Sequence, residues 1–236
     1  MRCTSKVPAR VLEMKVALPN GGAVTAGIAP AAGHRAGRSP IVVLAPGAGS
    51  DRRHPSLAGI QTGLAAAGWT TVTFDFPYRE AGRRIPDPRP VLERCWGAVL
   101  DAVHADARLA PPWVAIGGRS MGGRIASHVA AAGAPVKGLV FLGFPLHPAG
   151  RPGVERAAHL PAIAAPMFFV QGTRDALAQP ALMARVLAGL PRATLHAIDG
   201  ADHGFHVPRR SGRDDEGVRA EIVAAVARWL RGLEAG

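Results

Sequence analysis

Three residues of this chain have the types, order and spacing that nucleophilic chemistry requires. Ser120 sits in "WVAIGGRSMGGRIA", residues 113–126, where Gly118-Arg119-Ser120-Met121-Gly122 reads G-x-S-x-G between an apolar run and an alanine-rich stretch. A serine hydroxyl is a weak nucleophile at neutral pH, so it needs a general base, and the base needs an orienting carboxylate. In a strand–turn–helix setting the partners follow in the order Ser, Asp or Glu, His. "MFFVQGTRDALAQP" places Asp175 just beyond an apolar run, and "ATLHAIDGADHGFHVP" places His203 beyond the next one. The alternative for Asp175 is a turn or helix-capping carboxylate. His206 lies three residues after His203 and is the competing base. His196 falls inside a strand, and Asp199 and Asp202 stand close enough to His203 to serve the turn itself.

An acyl-transfer site also needs two amides to hold a developing oxyanion. The residue after the nucleophile, Met121, supplies one. The second belongs in "LAPGAGSD", at Ala48 with Gly49 as the neighbouring candidate, because Gly47 and Gly49 let that loop turn. The same apolar-run–PGAG stretch could cradle phosphate, but the lysine of a nucleotide P-loop is missing. Gly49, Arg79, Arg119, Leu146 and His147 are the candidate substrate contacts. Arg79, Glu80, Arg83 and Arg84 read first as a solvated charge run and more sharply as an anion-recognising rim. Leu146 and His147 follow a strand end; a hydrogen-bonded structural role for His147 competes with substrate contact.

These residues require a scaffold that presents loops at one edge of a sheet. "RVLEMKVAL" and "AVTAGIA" read as a hairpin across the turn "PNGG". After them strands and helices alternate: "IVVLAPGAG", "WTTVTFDF", "WVAIG", "VKGLVFLGF", "APMFFVQG" and "ATLHAID" read as strands, with helices between and after them. Alternation of this kind predicts an α/β fold, a mostly parallel sheet of about eight strands with helices on both faces. Residues 1–236 read as one domain without linker or repeat. Active residues of such sheets collect on loops at the carboxyl ends of the strands, which is where Ser120, Asp175 and His203 fall. Only "PLHPAGRPGVERAAHLPAIAAP" lies between the strand ending near Phe144 and the one beginning near Met167. That leaves room for a few turns and no large cap domain, so a shallow pocket is expected.

Composition narrows the class further. Of 236 residues, 48% are hydrophobic and 19% charged, ample material for a core. No signal-peptide-like or membrane-spanning apolar run is read, so a cytoplasmic location without membrane association is expected. Cys3 and Cys95 form neither a disulfide framework nor a metal-ligand spacing. The formal net charge is +11, from 28 basic and 17 acidic residues, and only three of the 28 are lysines (Lys6, Lys15, Lys137). Without aromatic interleaving or a nucleic-acid motif, this surplus predicts only weak, salt-sensitive binding to DNA or RNA and no specific nucleic-acid partner.

"LAPGAGSD", "FDFPYREAGRRIPD", "GGRSMGGRIAS", "FLGFPLHPAGRP" and "GADHGFHV" together resemble the α/β-hydrolase superfamily, and within it a bacterial group of small hydrolases distantly related to dienelactone hydrolases. The resemblance spans essentially the whole chain. It implies an α/β-hydrolase fold, a Ser120–Asp175–His203 triad, a small-molecule acyl substrate, and no cofactor or metal. Dienelactone hydrolases usually carry cysteine where this chain has Ser120, so their activity is not implied. The expected activity is cleavage of a carboxyl ester, thioester or related acyl bond. An interaction module that keeps the fold without turnover is the alternative from another class, since some eukaryotic relatives act by protein interaction. An amidase or peptidase using the same triad is the second alternative.

Overall fold

In the computed structural model, residues 11–235 are described; Cys3, Lys6 and Arg10 lie outside them. Two glycines with positive φ, Gly21 at 87° and Gly22 at 79°, close the turn between β1 (Leu12–Ala17) and β2 (Ala23–Ala29), which pair antiparallel as the hairpin expected from "PNGG". Then follow β3 (Ile41–Ala45), α1 (Pro55–Ala66), β4 (Thr71–Phe74), α2 (Pro77–Glu80), α3 (Arg89–Ala105), β5 (Val114–Arg119) and α4 (Met121–Ala131). The chain continues through β6 (Gly138–Leu142), β7 (Met167–Gly172), α5 (Pro180–Ala188), β8 (Ala193–Ile198) and α6 (Asp215–Ala235). The short α2 was not expected; Pro77 at its first position presets the helical φ inside a segment otherwise read as loop.

The eight strands form one sheet in the order β1-β2-β4-β3-β5-β6-β7-β8. β2 also meets β4 antiparallel, and every pairing from β4 to β8 is parallel. The mostly parallel, helix-covered sheet expected from the alternation is therefore present. β3 shows why its apolar run could be read as a strand buried on both faces. Ile41, Val43 and Ala45 join one core with residues of α3, α4 and α5, while Val42 and Leu44 join the other with Leu57, Leu64, Ile222 and Leu230 of α1 and α6. Side chains alternating at period two feed two cores from five residues.

The order of strands reverses between β3 and β5. From β3 the chain moves outward to β4, then returns across β3 to β5 and proceeds the other way. Such a switch leaves a crevice beyond the carboxyl ends of the two strands. Ala45 pairs with Gly118 in the parallel register, so "PGAG" and "RSMG" leave the sheet side by side. Between β6 and β7 lie only two single 3-10 turns, Glu155–Ala157 and Leu160–Ala162, and no lid covers the sheet edge.

Candidate active site

Ser120 lies at the junction of β5 and α4 with φ 50° and ψ −114°, a sparsely populated conformation for a residue with a side chain. The surroundings hold it there. A Cβ at position 118 would collide with the Ala45 backbone, and one at 122 with the Ala45 and Pro46 carbonyls. Glycine at these two positions lets the β3 loop close against the turn. The Ser120 amide donates to the Leu142 carbonyl at 3.0 Å, and its carbonyl accepts from the Arg124 amide at 3.1 Å, starting the helix. The side chain is left out of both hydrogen-bond ladders.

His203 approaches from the loop after β8. Its Nε2 lies 2.9 Å from Ser120 Oγ and its Nδ1 lies 2.7 Å from Asp175 Oδ2. The Asp175 side chain is fully buried and that of His203 is 24% exposed. A buried carboxylate must be hydrogen-bonded, and Asp175 is. Oδ1 accepts from the Leu177 amide at 2.8 Å, and Oδ2 accepts from Gln171 Nε2 as well as meeting His203. Gln171 Oε1 in turn accepts from the Phe144 amide at 2.9 Å. Gln171 was not among the expected residues. Its signal was a polar side chain at the end of an otherwise apolar strand, four residues before Asp175.

The neighbouring candidates take other partners. His206 meets Asp215 at 2.6 Å, and both are exposed. His196 meets Glu221 at 2.9 Å on α6. Asp202 accepts from the Gly204 and His206 amides at 2.7 and 2.9 Å, and Asp199 meets Thr173 Oγ1 at 3.2 Å. Asp202 thus ties its own turn together, whereas Asp199 reaches across to the loop after β7.

A cavity of about 330 Å³ opens in front of Ser120. Ala48 and Met121 line it beside Ser120, with Pro145, Leu177, Leu92 and Ile125 supplying apolar wall and Arg89, Arg124 and Arg156 supplying charge. Met121 is the first residue of α4, where an amide has no partner within the helix. No hydrogen bond engages the Ala48 amide among the described residues, whereas the Gly49 amide donates to the Tyr78 hydroxyl at 3.2 Å. Burial raises the pKa of that hydroxyl, which keeps it a neutral partner.

None of the five expected substrate contacts lines this cavity. Gly49 is held by Tyr78. Arg79 turns to Asp51 at 3.2 Å and to the Arg83 carbonyl at 3.1 Å, forming a local ion pair away from Ser120. Arg119 precedes Ser120 on the strand, so its side chain leaves the opposite face. It donates to the His203 carbonyl at 3.1 Å and lines a separate cavity of about 320 Å³ near the starts of α1 and α6. Burial lowers its pKa, and the nearby charges of Asp175 and Asp202 partly offset this. Leu146 is buried in the core with its amide on the Leu177 carbonyl at 2.9 Å, and Pro145 takes the wall position instead. His147 is also buried, with Nδ1 against the Pro148 carbonyl at 2.8 Å and a buried Nε2 that has no partner among the described residues. Among the described residues no group of three or more His, Cys, Asp or Glu side chains could hold a metal ion, and no helix is long and apolar enough to cross a membrane.

Residues 38–231 match the family model described as an alpha/beta hydrolase domain, most of the chain. Solved structures of similar shape include an α/β serine hydrolase without lid from Xanthomonas campestris, with a TM-score of 0.71 and 20% identity over 94% of this chain and 96% of that one. A dienelactone hydrolase from Anabaena variabilis has a TM-score of 0.76 and 20% identity over 96% and 99% of the two chains. An α/β serine hydrolase homologue from Coxiella burnetii has a TM-score of 0.72 and 20% identity over 91% and 96%. The chain belongs to the α/β-hydrolase family.

Proposed function

We propose that this α/β hydrolase is a serine acyl hydrolase, cleaving a small carboxyl ester or thioester through an acyl-enzyme on Ser120. The observation that carries the reading is the unbroken path from Ser120 Oγ to His203 at 2.9 Å and from His203 to buried Asp175 at 2.7 Å. His203 takes the hydroxyl proton as Oγ attacks the carbonyl carbon, then delivers it to the leaving oxygen or sulfur. Asp175 holds the imidazole with Nδ1 protonated, so that Nε2 is free to accept. The amides of Met121 and Ala48 receive the oxyanion, Ala48 rather than Gly49 because the latter is already engaged by Tyr78. Water then enters on the same base and releases the acid.

A fluorophosphonate should label Ser120, and Ser120→Ala should lose labelling and turnover together. Among p-nitrophenyl esters, kcat/KM should peak between acetate and about hexanoate. Each buried methylene is worth about 0.8 kcal/mol, and a cavity of about 330 Å³ without a lid soon stops rewarding added carbons. Labelling at another serine, or rates rising through laurate, would overturn this reading.

A further inference from the structure

Arg124 stands one helical turn after Ser120 on α4, its amide bonded to the Ser120 carbonyl at 3.1 Å. Residues four apart share a helix face, and side chains lean toward the helix N-terminus. The Arg124 side chain accordingly lines the cavity that holds Ser120. Arg156, from the segment between β6 and β7, and Arg89, at the start of α3, line the same cavity. Three arginines from three separate elements thus line one cavity, and Arg156 and Arg89 are near enough for their charges to act on Arg124.

Among the described residues a carboxylate pairs with only one of the three. Arg89 pairs with Glu93 at 3.2 Å. Arg156 donates to the His147 carbonyl at 3.1 Å and meets no carboxylate among the described residues. Arg124, half-buried, has neither an ion pair nor a hydrogen bond from its side chain among them. The cavity also holds one acid, Asp87, whose Oδ1 meets Arg83 at 2.7 Å and whose buried Oδ2 has no partner among the described residues, so one carboxylate faces three arginines. Burial first, and then the positive charges of Arg156 and Arg89, lower the Arg124 pKa, so this guanidinium is part-desolvated beside two like charges. An anion between Arg124 and Arg156 would relieve that crowding, and planar guanidinium forks match a carboxylate with paired hydrogen bonds.

We propose that the substrate carries its own anion: an ester or thioester with a carboxylate a few atoms from the scissile carbonyl, received by Arg124 and Arg156 while Ser120 attacks. The proposal rests on the serine-hydrolase reading for its chemistry. The bond from Ser120 Oγ to the acyl carbon forms and the bond to the leaving atom breaks. The Oγ proton passes through His203 to the leaving group, and the distal carboxylate is unchanged throughout.

Two matched pairs of substrates test it. Mono-p-nitrophenyl glutarate against its methyl-blocked form puts the charge on the acyl side; 4-acetoxybenzoate against phenyl acetate puts it on the leaving side. In at least one pair the anion should raise kcat/KM relative to the neutral partner by about tenfold or more, the size of one charge-assisted hydrogen bond. Arg124→Gln and Arg156→Gln should each collapse that ratio, Arg124→Lys should keep part of it, and added salt should shrink it. A ratio at or below one in both pairs, or a ratio indifferent to both glutamine variants, would overturn the proposal. Glutarate binding to Ser120→Ala protein, read by calorimetry, separates it from the hydrolase reading. Binding that Arg124→Gln abolishes, in a protein that hydrolyses no ester, leaves the anion site standing and removes the chemistry. Neutral esters cleaved through Ser120 without glutarate binding would do the reverse.

Discussion

Two histidines three residues apart each meet an aspartate at nearly the same distance, and only one of them also meets a serine. His203 reaches Asp175 at 2.7 Å; His206 reaches Asp215 at 2.6 Å. The surroundings differ. Asp175 is fully buried, accepts from Leu177 and Gln171, and leaves the far nitrogen of His203 on Ser120. His206 and Asp215 are 67% and 57% exposed, and water competes for both. Separation alone therefore says little about a histidine–carboxylate pair. Burial of the acid, and what the second imidazole nitrogen faces, decide whether it orients a base or decorates a surface.

The largest effect should fall on the buried pair. Asp175→Asn should fold yet lose roughly 10⁴-fold in kcat, the order observed when an orienting aspartate becomes an amide and favours the wrong tautomer. His203→Ala should be at least as damaging. Steady-state kinetics on a short p-nitrophenyl ester checks both. A His206→Ala variant slower than His203→Ala would reverse the assignment of the base.

Gln171 separates the two pairs at the next level, since nothing comparable braces Asp215. Its side chain bridges the Phe144 amide and the Asp175 carboxylate, and so braces the carboxylate that His203 meets. Gln171→Leu would strip a donor from a buried carboxylate and leave an amide unpaired, each costing about 1–3 kcal/mol. Catalysis should fall about tenfold to a hundredfold, if the lost bond to a charged group is felt in kcat. Gln171→Glu should not rescue, because it faces Asp175 with a second carboxyl. Equal kcat in wild type and Gln171→Leu would show that Leu177 alone suffices to orient the acid.

Much of this arrangement is legible in the sequence because it depends on chain order and local turns. Ser120, Asp175 and His203 each follow a strand, and in a parallel sheet every such strand ends at the same edge. The sheet itself announced its strands wherever both faces are buried, as in "IVVLA". The cavity walls were not legible, because they depend on which side chain each loop turns inward. Leu146 and His147 follow a strand as the expectation required, yet both turn into the core and leave Pro145 on the wall. Arg79 was claimed by Asp51, and Arg119 by the His203 carbonyl. The arginines that do reach the cavity come from three elements brought together only by folding, although the Ser120–Arg124 spacing of one helical turn was available as a sign.

A third histidine setting sharpens the contrast by removing the carboxylate altogether. His128 and His159 stack at 3.6 Å between ring centroids, and His159 Nε2 meets Ser127 Oγ at 2.7 Å. Burial holds both imidazoles down to a pKa of about 4, with the charges of Arg89 and Arg124, and for His128 that of His159 as well, pushing the same way. Because the folded pKa lies below the unfolded value near 6.5, this pair's contribution is complete above pH 6.5. It is lost as pH falls toward about 4, where the unfolded chain takes up protons that the folded one refuses. The melting temperature should therefore drop between pH 7 and pH 4.5, and His128→Asn with His159→Gln should flatten the drop. An unchanged slope in the double variant would place the acid sensitivity elsewhere.

The smallest effect should come from the exposed pair, and its smallness is the informative outcome. An ion pair in water gains little because solvent screens both charges and ordering two side chains costs entropy; measured values cluster between about 0 and 1 kcal/mol. Asp215 also sits in the first turn of α6, where its negative charge suits the helix dipole. Removing the histidine therefore loses only a weak, exposed contact. His206→Ala should leave the melting temperature nearly unchanged. Asp215→Asn should lower it slightly, because that change removes only the favourable charge, and 1 M salt should erase the difference. Neither should change kcat/KM by more than about threefold, the size of a surface pair's energy if all of it reached the transition state. A tenfold loss in Asp215→Asn would mean that the turn carrying His203 is held in place by this surface contact. Burial of the acid would then no longer distinguish a working pair from an ornamental one.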